Sequence, residues 1–170
     1  MAIGSPYESG CDLISPNRNL TPITSEVDET GGLSIGGCLL TDLSARYSTP
    51  LYVIDEATLR ASCRAYKKAL QTHYPAQSVP IYASKANSSL ALSSLIRSEG
   101  FGLDAVSEGE LITGLRGGLS GDQIWLHGNN KSVAELRLAY ENRATIVVDN
   151  QHDIDRLAEV VPSGGPPARL

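Results

Sequence analysis

A regular alternation of apolar runs and amphipathic stretches constrains the fold of this chain more than any other feature. From residue 81 onward the pattern recurs about every 20 to 24 residues, as expected for strands that alternate with helices. The predicted strands are 81–84, 102–106, 123–127 and 144–148, and the predicted helices are 88–98, 108–115, 132–140 and 151–160. Helical crossovers place successive strands parallel, so the sequence predicts an α/β fold. Four such units do not close an eight-stranded barrel, and an open four-stranded sheet is also possible.

The preceding segment predicts one more strand and helix. The apolar run 50–54 predicts a strand, and residues 56–70 predict a helix that Asp55 can cap. Apolar side chains at helical spacing would form its buried face: Leu59, Cys63, Tyr66 and Leu70.

The two ends of the chain show weaker patterns. Residues 1–45 are rich in Ser, Pro, Gly, Asn and Thr, and only 33–40 indicates a short strand and turn. We expect a variable, largely flexible extension over 1–45 and the start of the α/β domain at 46, continuing to 170. Residues 162–170 predict a loop whose last three residues resemble the start of another strand.

Composition excludes several classes of protein. The chain has 41% hydrophobic and 19% charged residues, which is typical of a globular domain. A net charge of -5 argues against nucleic-acid binding. No run approaches the roughly 18 apolar residues of a membrane span, and the N-terminus lacks the pattern of a secretory signal. Three widely spaced cysteines and three scattered histidines indicate reduced thiols in a cytoplasmic protein, with neither disulfides nor a metal site.

Polar residues concentrate where the predicted strands end. These segments are 84–87, 104–108, 127–130 and 149–150. The carboxyl ends of parallel strands share one face, where such folds bind ligands. The chain contains no GxGxxG, GxxxxGK[ST], GxSxG or HExxH motif, which argues against dinucleotide, P-loop, serine-hydrolase and zinc-protease sites.

Lys85, at the end of the strand 81–84, is the candidate nucleophile. A lysine at a strand end is often simply solvated, and from the pattern alone the two interpretations are equally supported. A lysine amine can instead form a Schiff base with an aldehyde cofactor.

Three further residues are candidates for the same face. Asp104 either caps a turn or pairs with a nearby cation. His127 is either a packed neutral ring or a ring that borders a cofactor or bonds a carboxylate. Asn129 is either a turn residue or an amide that orients an aromatic oxygen.

Ordered motifs give the chain a resemblance to a known family. The strings are TPLYV at 49–53, YASKANS at 82–88, GLDAVSEGE at 102–110, HGNNKS at 127–132 and IVVD at 146–149. Over about residues 49–160 they resemble diaminopimelate decarboxylases, which are pyridoxal-phosphate enzymes with an alanine-racemase-like barrel and a C-terminal β-domain.

The resemblance implies a fold, a reaction and a set of roles. It implies the N-terminal half of a (β/α)8 TIM-type barrel, with pyridoxal 5'-phosphate bound as a Schiff base by Lys85. Asp104 would lie near that lysine, and His127 and Asn129 would line the cofactor side. The reaction would be decarboxylation of meso-2,6-diaminopimelate to L-lysine and carbon dioxide, the last step of lysine biosynthesis. The full-length protein would be a homodimer, and its substrate would be a small amino acid.

The resemblance also implies that other parts lie beyond these residues. We expect an N-terminal fragment, without the later strands, the glycine-rich phosphate loop, the acid for the pyridine nitrogen and the C-terminal β-domain. Such a fragment would be inactive and unstable or prone to aggregate alone, because half a barrel leaves sheet edges open.

Three alternatives remain. The first is a decarboxylase of arginine, ornithine or a carboxylated polyamine. The second is a non-catalytic pyridoxal-phosphate-binding relative, and the third is an open α/β binding domain without a cofactor.

Overall fold

The computed structural model describes residues 20–170, which belong to two compact units that divide between Thr72 and His73. We refer to residues 20–72 as the N-terminal unit and to residues 73–170 as the C-terminal unit. The N-terminal unit contains a small antiparallel sheet followed by helices: β1 Glu26–Val27, β2 Leu33–Ile35, β3 Cys38–Leu39, α1 Leu40–Tyr47 and α2 Glu56–His73, whose last residue lies in the C-terminal unit.

The predicted strand and turn at 33–40 are confirmed. Strands β2 and β3 pair as a hairpin. Its turn is made by Gly36 and Gly37, with φ angles of 58° and 74°, which favour glycine. Strand β1 pairs with β2, so regular structure within the expected extension begins as early as Glu26. The expectations for residues 1–19 lie outside the described residues.

The predicted strand 50–54 is wrong. These residues form an irregular loop, in which the Tyr52 side chain is 97% exposed. An apolar run becomes a strand only where a neighbouring strand takes up its backbone hydrogen bonds, and Pro50 has no N–H to donate.

The predicted helix 56–70 is confirmed as α2, and Asp55 is confirmed as its N-terminal cap. The Thr58 amide donates to Asp55 Oδ2 at 3.0 Å. Its predicted buried face is wrong at Tyr66, which is 68% exposed, whereas Cys63 is buried.

The C-terminal unit confirms the predicted alternation. Its elements are β4 Ile81–Ala83, α3 Leu90–Ser98, β5 Gly102–Ala105, α4 Glu108–Arg116, β6 Ile124–Leu126, α5 Val133–Glu141, β7 Thr145–Ile146 and α6 Gln151–Val160, with 3₁₀ turns at Ser84–Ala86 and Gly121–Gln123. The four strands are parallel and lie in the order β4-β5-β6-β7. Strand β7 is shorter than predicted, although the Val147 amide still donates to Leu126 O at 3.0 Å.

The core of this unit lies between the sheet and helices α4 to α6. Its members are almost completely buried, and they include Leu103, Ala105, Ile124, Leu126 and Ile146 from the strands and Leu111, Leu136 and Leu157 from the helices. Each large side chain buried in this way stabilises the fold by roughly 1.5–3 kcal/mol. The core therefore holds the carboxyl ends of the strands in fixed positions.

Local signals begin and end these helices. Side chains of Ser89, Ser107, Ser132 and Asn150 accept hydrogen bonds from the first turns of α3, α4, α5 and α6. The capping box predicted at Ser132 is confirmed, with Glu135 completing it. Gly100 ends α3 with a φ of 73°, as predicted. The Phe101 amide then donates to Ile96 O at 3.1 Å, which closes the helix end.

Helix α5 ends with the same hydrogen bonds but without a glycine. The Ala144 amide donates to Ala139 O at 2.9 Å, and Arg143 takes the left-handed conformation with a φ of 64°. Near residue 170, Arg169 forms a parallel bridge with Thr145, so the predicted start of another strand is confirmed at that point. Among the described residues, no helix is long and apolar enough to cross a membrane.

Candidate active site

The predicted site residues gather at the carboxyl ends of three neighbouring strands. Lys85 is exposed in the 3₁₀ turn that follows β4, Asp104 lies within β5, and His127 follows β6. Ala83 lies opposite Asp104 in the ladder, so Lys85 is two residues beyond the strand partner of Asp104. The alternation of strands and helices thus brings residues that are far apart in sequence to one edge.

Asp104 and His127 form a direct pair. The Nδ1 atom of His127 lies 2.5 Å from Asp104 Oδ1, and the two side chains are 38% and 22% exposed. An ionised carboxylate only accepts, so Nδ1 carries the proton that it donates and Nε2 is the remaining nitrogen. The contact fixes the orientation of the two side chains relative to each other, and their role in a site stays a prediction.

A second polar contact anchors the residue before Lys85. Ser84 is 2% exposed, and its hydroxyl donates to Asp104 O at 2.8 Å and contacts Glu110 Oε2. The same Glu110 oxygen accepts from the Val106 amide at 2.9 Å. The turn that carries Lys85 is therefore tied to the end of β5.

The sequence reasoning missed Glu110 as a site residue. It stands three residues after the helix cap Ser107, where a glutamate usually bonds back to the cap. Here its carboxylate reaches instead to Val106 and Ser84. The Ser-x-x-Glu spacing was the available signal, but it also fits an ordinary capping box.

Asn129 is exposed on the loop after β6. Its main-chain carbonyl accepts from Asn150 Nδ2 at 3.1 Å, which joins this loop to the start of α6. The structure thus places Asn129 at the same edge as His127, on the side toward β7.

Comparison with known proteins identifies the class. Residues 56–170 match the family described as pyridoxal-dependent decarboxylase, pyridoxal binding domain, and the chain belongs to that family. The cofactor of the family is pyridoxal phosphate, as the motifs indicated.

Individual relatives of known name indicate which decarboxylases within this class the chain is similar to. The chain is 41% identical over 164 residues to a diaminopimelate decarboxylase of Synechocystis sp., covering 92% of this chain and 35% of the relative. It is 43% identical over 144 residues to that of Bacillus subtilis, covering 84% of this chain and 32% of the relative. The crystal structure of diaminopimelate decarboxylase from M. jannaschii has a TM-score of 0.75 at 28% identity, covering 81% of this chain and 32% of that one.

These matches confirm the resemblance and the fold class. The chain forms an N-terminal part of an α/β barrel and spans about a third of the length of the relatives it matches.

The residues at the strand ends fit the part of a pyridoxal-phosphate site that this chain would supply. Lys85 offers an exposed primary amine of the kind that an aldehyde requires. Beside it, the Asp104–His127 pair offers a carboxylate and a ring nitrogen in a fixed arrangement.

Proposed function

We propose that the protein decarboxylates meso-2,6-diaminopimelate to L-lysine and carbon dioxide, with pyridoxal phosphate held by Lys85. The observation that carries this proposal is the clustering of Lys85, Asp104 and His127 at the carboxyl ends of three neighbouring strands, in a chain of this family. Identities of 41% and 43% to diaminopimelate decarboxylases favour diaminopimelate over arginine, ornithine or a carboxylated polyamine. A related decarboxylase was solved in complex with L-lysine, the expected product.

Bound pyridoxal phosphate supplies an electron sink for the electron pair that is released when the bond between Cα and the carboxylate breaks. The residues of this chain provide attachment and proton transfer. Lys85 Nζ is the amine that would hold the cofactor at its aldehyde. With substrate in the site, the free amine of Lys85 would hold a proton at Nζ and deliver it to the substrate Cα after carbon dioxide leaves.

In this proposal, Asp104, His127 and Asn129 bind the cofactor and orient it. The carboxylate of Asp104 keeps the proton of His127 on Nδ1, so the ring presents Nε2 in a fixed tautomer. Ser84 and Glu110 hold the turn of Lys85 against β5, which limits the positions its amine can take.

The test uses a chimera, because the chain spans about a third of its relatives. In it, the matching residues of this chain replace their counterparts in the Synechocystis relative. We expect borohydride to fix the cofactor covalently on Lys85, located by peptide mass mapping, and we expect carbon dioxide to be released from meso-diaminopimelate.

A matched pair of lysine variants makes the result specific. Lys85→Ala should abolish both the label and the activity, because no amine remains for the aldehyde. Lys68→Ala removes an exposed lysine of α2 and should preserve both. A folded Lys85→Ala chimera that still carries the label on another residue of this chain would refute the assignment.

We also propose a homodimer located in the cytoplasm, with a small amino acid as substrate. Among the described residues, neither Cys38 nor Cys63 forms a disulfide, which fits a reducing compartment. Light scattering of the purified protein and fractionation of cells test these two points, and a monomer or an exported protein would contradict them.

A further inference from the structure

A buried ion pair joins the loop after β6 to the start of α6. Lys131 Nζ donates to Asp153 Oδ2 at 2.8 Å, and the side chains are 2% and 0% exposed. Replacing a buried pair by apolar side chains is often neutral or stabilising, so the pair is weak evidence for a role in stability alone. Moreover, Asp153 Oδ1 is buried and has no hydrogen-bond partner among the described residues, which is a destabilising feature.

The contacts of the pair converge on the main chain just beyond two strands. Lys131 Nζ also donates to Gly128 O at 2.5 Å, and Asp153 Oδ2 also accepts from the Asp149 amide at 3.0 Å. Gly128 has a φ of 106°, a conformation that favours glycine, and directly follows His127. The ammonium group therefore fixes the path of the chain immediately after the imidazole.

Two further hydrogen bonds join the same two regions. Asn150 Nδ2 donates to Asn129 O at 3.1 Å, and the Arg156 guanidinium donates to Lys131 O. Residues 127–131, here named the β6 loop, are thus held at Asn129 by the cap of α6 and at Lys131 by α6 itself, and Lys131 in turn holds Gly128. Hydrogen bonds to charged groups are directional, so they set the orientation of the loop in a way that apolar contacts do not.

We propose that Lys131 and Asp153 are positioning residues for the cofactor site, which hold the β6 loop so that His127 and Asn129 face the cofactor. The inference rests on the proposed function, because it assumes that this loop borders pyridoxal phosphate. Neither residue of the pair touches the reacting atoms in this assignment.

The test separates stability from positioning in the chimera. Lys131→Met and Asp153→Leu each leave one buried charge unpaired and should lower the melting temperature. The double variant removes both charges and should recover most of that loss. If the pair positions the loop, all three variants bind pyridoxal phosphate at least tenfold more weakly than the parent. Glu56→Gln, which removes an exposed ion pair with Arg60, is the matched control. It should change neither the melting temperature nor the affinity for pyridoxal phosphate.

A second readout does not depend on the cofactor. The ring nitrogen resonances of His127, measured by NMR without pyridoxal phosphate, should shift in the double variant because the loop relaxes. Full recovery of both affinity and resonances in that variant would overturn the proposal. The double variant Lys131→Gln and Asp153→Asn, which also removes both charges but keeps polar side chains, gives the same comparison if the apolar double variant does not fold.

The outcomes also separate the two proposals. If the parent chimera forms no borohydride-stable link at Lys85, the proposed function fails, and the His127 resonances still decide whether the pair positions the loop. If the parent forms the link and the double variant binds equally well with unchanged resonances, only the positioning role fails.

Discussion

The two units of the chain are stabilised in different ways. In the C-terminal unit, parallel strands and helices enclose a continuous apolar core and the buried ion pair of Lys131 and Asp153. In the N-terminal unit, strands of two or three residues are linked by turns, and among its described residues Cys63 is the one apolar side chain that is buried. The difference shows why all the candidate site residues belong to the C-terminal unit, since a site needs side chains that are held in place from behind.

The largest expected effect tests this contrast in the core. Leu136→Ala removes a completely buried side chain of α5 and should lower the free energy of unfolding by about 2–5 kcal/mol. Leu70→Ala in α2 removes a half-buried side chain and should have less than half that effect. Urea denaturation followed by the fluorescence of Trp125 reports the first change, and hydrogen exchange of α2 reports the second. Equal losses would mean that the two units do not differ in this way.

The next largest effect is the loss of folding stability at low pH. Burial raises the pKa of Asp153, but hydrogen bonds from Lys131 and from the Asp149 amide, with the charges of Lys131 and Arg156, lower it more, so its pKa lies below the usual value. Its contribution to stability is therefore present above the unfolded pKa of about 3.9 and is lost as the pH falls through the folded pKa. Unfolding free energies between pH 6 and pH 3 should fall more steeply for the parent than for Asp153→Asn.

Asp28 provides the matched carboxylate in the N-terminal unit. Hydrogen bonds from the Thr30 hydroxyl and from the Gly32 and Thr30 amides lower its pKa, but the residue is fully exposed. The sign is the same as for Asp153, and the effect should be smaller because solvent screens the charge. If Asp28→Asn flattened the acid response as much as Asp153→Asn, burial would not be the distinguishing factor.

Helix caps should show no difference between the units. Ser132→Ala removes the cap of α5, and Asp55→Ala removes that of α2. Each should lower stability by about 1 kcal/mol, because a cap acts through local backbone amides rather than through the core. Circular dichroism during thermal unfolding measures the loss, and a difference of more than about twofold would show that packing alters the value of a cap.

The smallest expected effect is a gain in the stability of the C-terminal unit. Arg143→Gly removes a side chain from a left-handed position and should stabilise the C-terminal unit by about 0.5 kcal/mol. The gain is limited because the guanidinium donates to Pro167 O at 3.3 Å. Arg143→Ala loses that bond without the freedom of glycine and should destabilise. A rise in melting temperature for both variants would contradict this explanation.

Features encoded by neighbouring residues could be predicted from the sequence. The sequence predicts helix boundaries at Asp55, Ser132 and Gly100 because capping involves atoms only a few residues apart. The parallel direction of the strands also followed, because helical crossovers connect strands that run the same way. That direction places Lys85, Asp104 and His127 at the same end of the sheet, whereas the order of the strands came from the structure.

Features that depend on distant partners could not be predicted. The run 50–54 has the composition of a strand but forms none, because strand formation requires a partner that composition does not reveal. Tyr66 lies at helical spacing from Cys63 and Leu70, but it is exposed, because burial depends on what packs against that position. Lys131 and Asp153 are 22 residues apart and look like ordinary surface charges until α6 is placed beside the β6 loop.

The sheet order β4-β5-β6-β7 has a consequence for synthesis on the ribosome. Gly102 pairs opposite Ile81, Ile124 opposite Leu103, and Thr145 opposite Trp125, so each strand meets the one made just before it. Every ladder closes a loop of only about twenty residues, so each pairing costs less loop-closure entropy than a pairing between distant strands. The C-terminal unit can therefore assemble one strand at a time as the nascent chain emerges, and Arg169 then bridges to Thr145 beside the last strand.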